Sequence, residues 1–284
     1  MRPRLSPEER RARRKRVVRR SMFVLPSSIT MASVFCGFSS VVMSINAAGA
    51  TPERYFLWAA GLLVLAGIFD GLDGRVARAT NTATEFGVQL DSLADVVSFG
   101  MAPAILAYRY GFFQLGIHDS HLRAAGWAAC FVFIACGALR LARFNVQVGS
   151  VDSRYFMGLP IPAGAACVAS VIIWHPTPPA TAAHAYGFAA ELFLVGLLMI
   201  STIRFPSFKK RTTNPRAAMI TSLMIVVFFA LMILFQQTFL VGFCATYVAL
   251  TLAMNLAWKA GWRGIEPPHE ARPDLGITTH PTAH

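Results

Sequence analysis

Four aspartates in a largely apolar sequence are the residues whose types and spacing best suit chemistry. They form two pairs within the segment DGLDGRVARATNTATEFGVQLDSLAD, namely Asp70 with Asp73 and Asp91 with Asp95. Residues three or four apart lie on one face of a helix, so each pair directs both carboxylates to the same side. Two helices that meet near a connection at residues 79–86 would therefore bring the four acids to one point.

A cluster of four carboxylates needs a cation, because like charges repel and an apolar environment does not screen them. Carboxylate oxygens without cysteine or histidine nearby favour a hard ion, so the sequence predicts Mg²⁺ or Mn²⁺, with Ca²⁺ as a further option. Gly74 and Gly87 remove side chains beside the acids and would let a ligand approach the backbone. Arg75 and Arg78 are placed to meet phosphate groups.

The elements that must position these acids are membrane helices. The chain has 284 residues, of which 55% are hydrophobic and 14% charged, and this composition predicts an integral membrane protein. Apolar runs long enough to span a membrane predict an all-α, polytopic bundle of about eight spans. They lie at about 22–47, 54–78, 88–110, 124–147, 160–174, 188–204, 217–236 and 239–258.

The basic residues predict how the spans are oriented. With the N-terminal arm in the cytoplasm, all but Arg54, Arg109 and Arg123 of the 26 lysines and arginines fall on or near the cytoplasmic side. The acids then lie at the cytoplasmic membrane face, at the depth of lipid headgroups. The basic residues lie at the ends of the spans and form no patch with interleaved aromatic residues. They therefore indicate membrane topology and contact with membrane lipids, and they do not indicate nucleic-acid binding.

Span four ends in ALRLARFN, which returns Arg140, Arg143 and Asn145 to the side of the acids. Two interpretations stay open: topology signals, or a clamp for a phosphate or a substrate carboxylate. The five cysteines stand singly in apolar segments and indicate packing residues. The last two spans hold almost no ionisable residues, which is typical of a scaffold or of a lipid-facing wall.

The order of the acids and glycines resembles the signature of the CDP-alcohol phosphatidyltransferase family. All eight fixed positions of that signature are present: Asp70, Asp73, Gly74, Ala77, Arg78, Gly87, Asp91 and Asp95. The resemblance implies a catalytic core of six transmembrane helices at 22–204, after a basic arm at 1–21. Two additional transmembrane helices at 205–260 and a disordered tail at 261–284 complete the predicted organisation, and relatives in this family imply a homodimer.

The same resemblance implies roles for individual residues. Asp70, Asp73 and Asp91 would hold one divalent ion, while Asp70, Asp91 and Asp95 would reach a second. Gly74, Arg78 and Thr84 match positions that contact the CDP group, and Asp95 matches the general base. Arg140, Arg143 and Asn145 remain candidates for binding the acceptor or a phosphate.

The sequences that flank the signature resemble the bacterial branch of the family that uses L-serine as acceptor. They are FDGLDGRVAR, EFGVQLDSLADVVSFGMAPA, LRLARFN and GLPIPAG. This resemblance implies transfer of the phosphatidyl group from CDP-diacylglycerol to the serine hydroxyl, giving phosphatidylserine and CMP, in the bacterial inner membrane. Two alternatives stay open: glycerol 3-phosphate or inositol phosphate as acceptor, and, in another class, a cation-coupled transporter with intramembrane acids.

Overall fold

The computed structural model describes residues 27–49, 51–79, 84–147, 155–206 and 238–257. The predicted basic arm at 1–21, the predicted span at 217–236 and the predicted disordered tail at 261–284 lie outside these residues. The described residues are mostly helical. The prediction of a helical bundle is therefore confirmed for this part of the chain.

Eight α-helices and two short strands follow one another along the described residues. They are α1 Ser27–Ile45, α2 Pro52–Ala79, α3 Glu85–Asp95, α4 Ala102–Gly111, α5 Ser120–Gln147, β1 Tyr155–Met157, α6 Ile161–Trp174, α7 Ala182–Ile200, β2 Arg204–Pro206 and α8 Thr238–Ala257. A π-helical turn, Val96–Met101, joins α3 to α4 without a break, and a 3₁₀ turn, Leu115–Ile117, precedes α5.

Among the residues that the structure describes, six helical segments are long and apolar enough to cross a membrane. They are α1, α2, the continuous α3–α4 segment, α5, α7 and α8. Helix α6 is apolar but has only 14 residues, fewer than the roughly 20 that a span needs. The described residues thus have the character of an integral membrane protein, while the full count of eight spans stays a prediction.

A small sheet is an exception to the otherwise helical structure that the sequence predicted. Strands β1 and β2 pair antiparallel, with Tyr155 opposite Pro206 and Met157 opposite Arg204. Gly158, just after β1, has a φ of +76°, and a Cβ there would lie 2.0 Å from the Met199 carbonyl oxygen. No local pattern predicts these strands, because each has three residues and finds its partner about fifty residues away.

Helix α1 packs closely against α2 and the π-helical turn. The Ser33 hydroxyl donates to the Ala66 carbonyl (3.1 Å), and the Ser98 hydroxyl donates to the Ser33 carbonyl (3.3 Å). Gly37 allows this approach, since a Cβ at this position would lie 2.8 Å from the Ser98 Cα. These contacts place the beginning of α1 beside the end of α2 and the beginning of α3.

Contacts at the opposite end of the bundle fix the directions of the helices. The Arg109 guanidinium donates to the carbonyls of Ser44 and Ile45, the last two residues of α1, and to the carbonyl of Ala47 just after it. The Tyr110 hydroxyl donates to the His175 carbonyl just after α6. The ends of α1, α4 and α6 therefore meet at what we call the far end, whereas the four aspartates lie at what we call the acidic end.

The apolar core lies between α2, α4, α5, α6 and α7. Its fully buried side chains include Phe56, Phe112, Phe133 and Leu192. Helices α5 and α7 pack closely, since a Cβ at Gly196 would lie 3.3 Å from the Phe133 Cα. This packed core holds the three helices that carry the acids and arginines in fixed positions.

Candidate metal and phosphate site

The beginning of α3 is set by a local cap. Thr84 has an extended backbone (φ −123°, ψ 155°), and its hydroxyl oxygen accepts a hydrogen bond from the Gly87 amide at 3.0 Å. A threonine in this position satisfies one of the amides that a helix leaves without an intrahelical partner. The cap fixes where α3 begins, and thereby the direction of Asp91 and Asp95 in its second and third turns.

Three of the four aspartates converge. Carboxylate oxygens of Asp70, Asp91 and Asp95 all lie within 4.8 Å of one another, and each of the three residues is half-buried. Asp70 comes from α2, whereas Asp91 and Asp95 come from one face of α3. The spacing in the sequence predicted this meeting of two helices.

The fourth aspartate is held by α1. Asp73 is buried, and its Oδ2 accepts a hydrogen bond of 2.7 Å from the Thr30 hydroxyl. Asp73 is not among the three residues whose oxygens lie within 4.8 Å of one another. The sequence alone does not pair Thr30 with Asp73, because nothing local indicates a partner 43 residues away.

The chemistry of this group fits a hard divalent cation. Its donors are three carboxylates, and no cysteine or histidine belongs to it. Oxygen donors of this kind suit Mg²⁺, Mn²⁺ or Ca²⁺. Three half-buried like charges at this separation also need a neutralising charge, which a divalent ion supplies. The residues present therefore fit the metal that the sequence predicted.

Among the candidate residues on α5, Arg140 has the surroundings that best suit ligand binding. Its side chain is buried at 7% exposure, and its guanidinium interacts electrostatically with Asp95. Within the described residues its buried Nε has no hydrogen-bond partner. A buried donor without a partner costs about 1 to 3 kcal/mol, and an anionic ligand would remove that cost.

The neighbouring candidates on α5 make contacts within the protein. Arg143 donates to the carbonyls of Met157, Ile200 and Ser201, so it joins α5 to β1 and to the end of α7. Asn145 donates from Nδ2 to the Ser92 hydroxyl at 2.9 Å and joins α5 to α3. Both contacts help to build the acidic end, and among the three α5 candidates they leave Arg140 as the strongest for ligand binding.

The residues predicted to contact CDP lie near the end of α2 and at the beginning of α3. Gly74 is half-buried on α2, one residue after Asp73, and Arg78 lies in the last turn of the same helix. Thr84 lies at the beginning of α3 and uses its hydroxyl oxygen as the cap described above. These positions are close in sequence to the converging acids, and their role in binding CDP stays a prediction.

A π-helical turn begins directly after Asp95. Val96–Met101 interrupts the α-helical hydrogen bonding between α3 and α4, and Ser98, Phe99 and Gly100 within it are buried. Such turns widen a helix locally and are frequent at functional sites. The sequence did not predict this turn, which contacts α1 through the Ser98 hydroxyl.

The fold and the acids together define a bundle of helices long and apolar enough to span a membrane, with an acidic group at one end that could hold a metal ion. The sequence model described as CDP-alcohol phosphatidyltransferase matches residues 23–203. The chain belongs to this family. The family resemblance read from the aspartates and glycines is thereby confirmed.

Curated relatives extend the similarity beyond the signature. The chain is 38% identical over 197 residues to the CDP-diacylglycerol--serine O-phosphatidyltransferase of Helicobacter pylori strain J99, covering 68% of this chain and 76% of that protein. It is 34% identical over 193 residues to the protein of the same name from Methanocaldococcus jannaschii, covering 68% and 78%. It is 35% identical over 196 residues to the archaetidylserine synthase of Methanothermobacter thermautotrophicus, covering 66% and 71%.

Proposed function

We propose that this protein transfers the phosphatidyl group of CDP-diacylglycerol to the hydroxyl of L-serine, giving phosphatidylserine and CMP. The observation that carries this proposal is the convergence of Asp70, Asp91 and Asp95 within 4.8 Å, in a chain that belongs to the CDP-alcohol phosphatidyltransferases. A site of oxygen donors at one end of a membrane bundle suits a substrate with a diphosphate and two acyl chains.

The choice of serine is supported by the names of the relatives. The Helicobacter pylori protein is named for diacylglycerol and serine, whereas the Methanothermobacter protein is named for archaetidylserine. Both names contain serine, whereas the lipid that each name contains is different. Residue charge alone does not decide, since Arg140 would suit either the carboxylate of serine or the phosphate of another acceptor.

Asp70, Asp73 and Asp91 would hold one divalent cation, Mg²⁺ or Mn²⁺, and Asp70, Asp91 and Asp95 would hold a second. Thr30 would orient Asp73 through its 2.7 Å hydrogen bond. When bound, such ions neutralise the diphosphate oxygens and stabilise the leaving CMP. Gly74, Arg78 and Thr84 would contact the CDP group.

The proton of the serine hydroxyl goes to Asp95 in this proposal. The serine oxygen forms a bond to the lipid-side phosphorus, the bond from that phosphorus to the CMP oxygen breaks, and the Asp95 carboxylate takes the proton. Arg140 holds the serine carboxylate, which supplies the partner that its buried Nε lacks among the described residues. Arg143 and Asn145 keep α5 in place through their contacts with α7, β1 and α3.

Two alternative functions make different demands on the site. An acceptor with a phosphate, such as glycerol 3-phosphate or inositol phosphate, would favour a second free basic group beside Arg140, but Arg143 already donates to three carbonyls. A cation-coupled transporter would favour acids spread along a path near the membrane midplane. The convergence of three acids at one end of the bundle supports an enzyme.

The basic residues support a site at the cytoplasmic face of the bacterial inner membrane, because all but three of the 26 lie on or near the side of the acids in the eight-span topology.

We extend the proposal to a homodimer, as in relatives of the family. Cross-linking of the purified protein in detergent, followed by electrophoresis, tests the dimer.

Release of CMP by the purified protein tests the proposed reaction. The full-length protein is incubated with CDP-diacylglycerol and Mg²⁺ or Mn²⁺, together with L-serine, glycerol 3-phosphate or inositol phosphate in separate reactions. We expect CMP with L-serine and none above background with the other two. CMP release with a phosphorylated acceptor alone would refute the choice of serine, and no release with any acceptor would refute the transferase assignment.

Thr30→Val is expected to weaken metal binding. The variant keeps the shape of the side chain but removes the hydroxyl that donates to Asp73. Loss of a group that orients a metal ligand typically lowers metal affinity by about 10- to 100-fold. The measurement is the metal concentration that gives half of the maximal rise in melting temperature. Thr30→Ser keeps the hydroxyl and is the matched control; equal metal requirements in the two variants would contradict the role given to Thr30.

A further inference from the structure

Ser92 lies between the two acids of α3 along the chain. It directly follows Asp91 and comes three residues before Asp95, so it shares a side of the helix with Asp95. The Ser92 hydroxyl donates to the Val88 carbonyl (2.9 Å), one turn earlier on α3. Because a hydroxyl has a single proton, the Ser92 oxygen can take part in a further contact only as an acceptor.

Asn145 of α5 supplies the donor for this contact. Its Nδ2 donates to the Ser92 hydroxyl oxygen at 2.9 Å. Since the hydroxyl proton already points to Val88, the NH₂ group of the Asn145 amide, and not its oxygen, must face Ser92. The hydrogen-bond network therefore fixes the orientation of the amide and joins α5 directly to α3 beside the acids.

The end of α5 is a firm support for this hydrogen bond. Arg143 donates to carbonyls of β1 and of the end of α7, which ties the last turns of α5 to two other elements. Helix α3 has only 11 residues, and its cap at Thr84 sets where the helix begins but not how it is rotated about its axis. The bond from Asn145 to Ser92 fixes that rotation on the side of α5.

The rotation of α3 decides how its carboxylates meet Asp70 of α2. Side chains reach about 5 to 6 Å from a helix axis, so a rotation of about 10° displaces a carboxylate by about 1 Å. Distances between a metal ion and its ligands tolerate only about 0.2 Å. A small rotation of α3 would therefore disturb the group formed by Asp70, Asp91 and Asp95, whose oxygens lie within 4.8 Å of one another.

We propose that Ser92 and Asn145 are positioning residues for the divalent cation, because their hydrogen bond holds α3 in the rotation that directs Asp91 and Asp95 toward Asp70. Ser92 is not one of the fixed positions of the family signature. Asn145, a candidate for acceptor binding in the sequence, serves the metal side of the site in this inference. The inference rests on the proposed function in one respect, namely that the three aspartates bind a divalent cation.

Binding of Mn²⁺ to the purified full-length protein tests the inference without any substrate. The unbound ion is followed by electron paramagnetic resonance during a titration. Ser92→Ala removes the hydroxyl, whereas Asn145→Leu removes the donor and keeps the size of the side chain. We expect each variant to bind Mn²⁺ about tenfold more weakly than wild type, the lower end of the loss that follows removal of a group orienting a metal ligand.

Two further variants are matched controls. Ser92→Thr keeps the hydroxyl and should bind Mn²⁺ within about twofold of wild type. Ser44→Ala removes a hydroxyl that also donates to the carbonyl four residues earlier, but at the far end of the bundle, and it should leave Mn²⁺ affinity unchanged. The melting temperature without metal is measured for every variant, because a general loss of structure would lower it without a selective loss of Mn²⁺ affinity.

The double variant of Ser92→Ala and Asn145→Leu shows whether the two residues act through one hydrogen bond. If they do, its Mn²⁺ affinity should lie within about twofold of that of the weaker single variant. Losses that multiply to about a hundredfold in the double variant would overturn the inference, because they would mean independent effects. Wild-type affinity in both single variants would overturn it as well.

The titration also distinguishes this inference from the proposed reaction. A wild-type protein that binds no Mn²⁺ would refute both, whereas normal binding in the variants would refute only the role of Ser92 and Asn145. Weakened binding in the variants of a protein that releases no CMP with any acceptor would refute the reaction and uphold the inference.

The rate of CMP release gives a second measurement of the positioning role. At saturating Mn²⁺ the kcat of Ser92→Ala should return to within about twofold of wild type, because every proposed metal ligand is still present and mass action offsets the weaker binding. A kcat that stays low at saturating Mn²⁺ would show that Ser92 acts on the reaction itself, and this result would overturn the inference.

Discussion

Replacing Asp95 by asparagine is expected to lower the rate of CMP release by about a thousandfold, because a general base contributes roughly 10²- to 10⁴-fold and an amide cannot take the proton. Asp95 also supplies one of the three oxygens that converge within 4.8 Å, so its replacement should weaken metal binding as well. The measurement is the initial rate at saturating CDP-diacylglycerol and L-serine. Binding of CDP-diacylglycerol should persist, since other residues are proposed to contact the CDP group.

The matched control for this variant is Asp119→Asn. Asp119 directly precedes α5, away from the converging acids, and its Oδ1 accepts hydrogen bonds from the amides of His121 and Leu122. Asparagine keeps a side-chain oxygen that can accept the same hydrogen bonds. We expect its rate to stay within about twofold of wild type, as for most surface substitutions. Asp95→Asn activity close to that of the control would remove Asp95 from the reaction.

A comparison with Asp91→Asn separates the role of base from the role of ligand. Asp91 is proposed to bind metal only, so its loss should weaken the metal and be partly restored by a large excess of Mg²⁺ or Mn²⁺. Asp95→Asn should not recover at any metal concentration. Equal recovery of the two variants would show that both residues act as ligands alone.

Removal of divalent metal is the second change with a large expected effect. Treatment with a chelator should reduce CMP release to background, and Mg²⁺ or Mn²⁺ should restore it. The physical reason is that Asp70, Asp91 and Asp95 gather three half-buried carboxylates with oxygens within 4.8 Å. Without a cation these charges repel one another, and nothing neutralises the diphosphate of the substrate.

The melting temperature reports metal binding at the same site without requiring catalytic turnover. A ligand present at 100 times its Kd stabilises the folded state by about 2.7 kcal/mol, so metal should raise the melting temperature measurably. Asp70→Asn is the informative variant, because it removes one of the three converging carboxylates. Its metal-induced rise should be smaller than that of wild type. Full activity after chelation, together with no metal effect on melting, would argue against a metal site.

Local patterns were enough to predict much of this protein from its sequence. Seven of the predicted spans correspond to helices in the described residues, because apolar length and helical periodicity are properties of each segment. The prediction that two helices bring four acids to one point agrees with the structure for Asp70, Asp91 and Asp95, whereas Asp73 lies outside their group. The acids and glycines of the signature belong to one short stretch, so the family was also readable from it.

Packing between distant parts of the chain decided the rest. Thr30 reaches Asp73 across 43 residues, Asn255 reaches Arg204 across 51, and the β1–β2 pairing depends on the position of α7. None of these contacts has a periodic or compositional signature, because each polar group finds its partner only after the helices have packed. The sequence by itself therefore determined which residues are acidic and on which helical faces they lie. The tertiary structure decided that three of them converge, that α1 holds the fourth, and that α8 lies against β2.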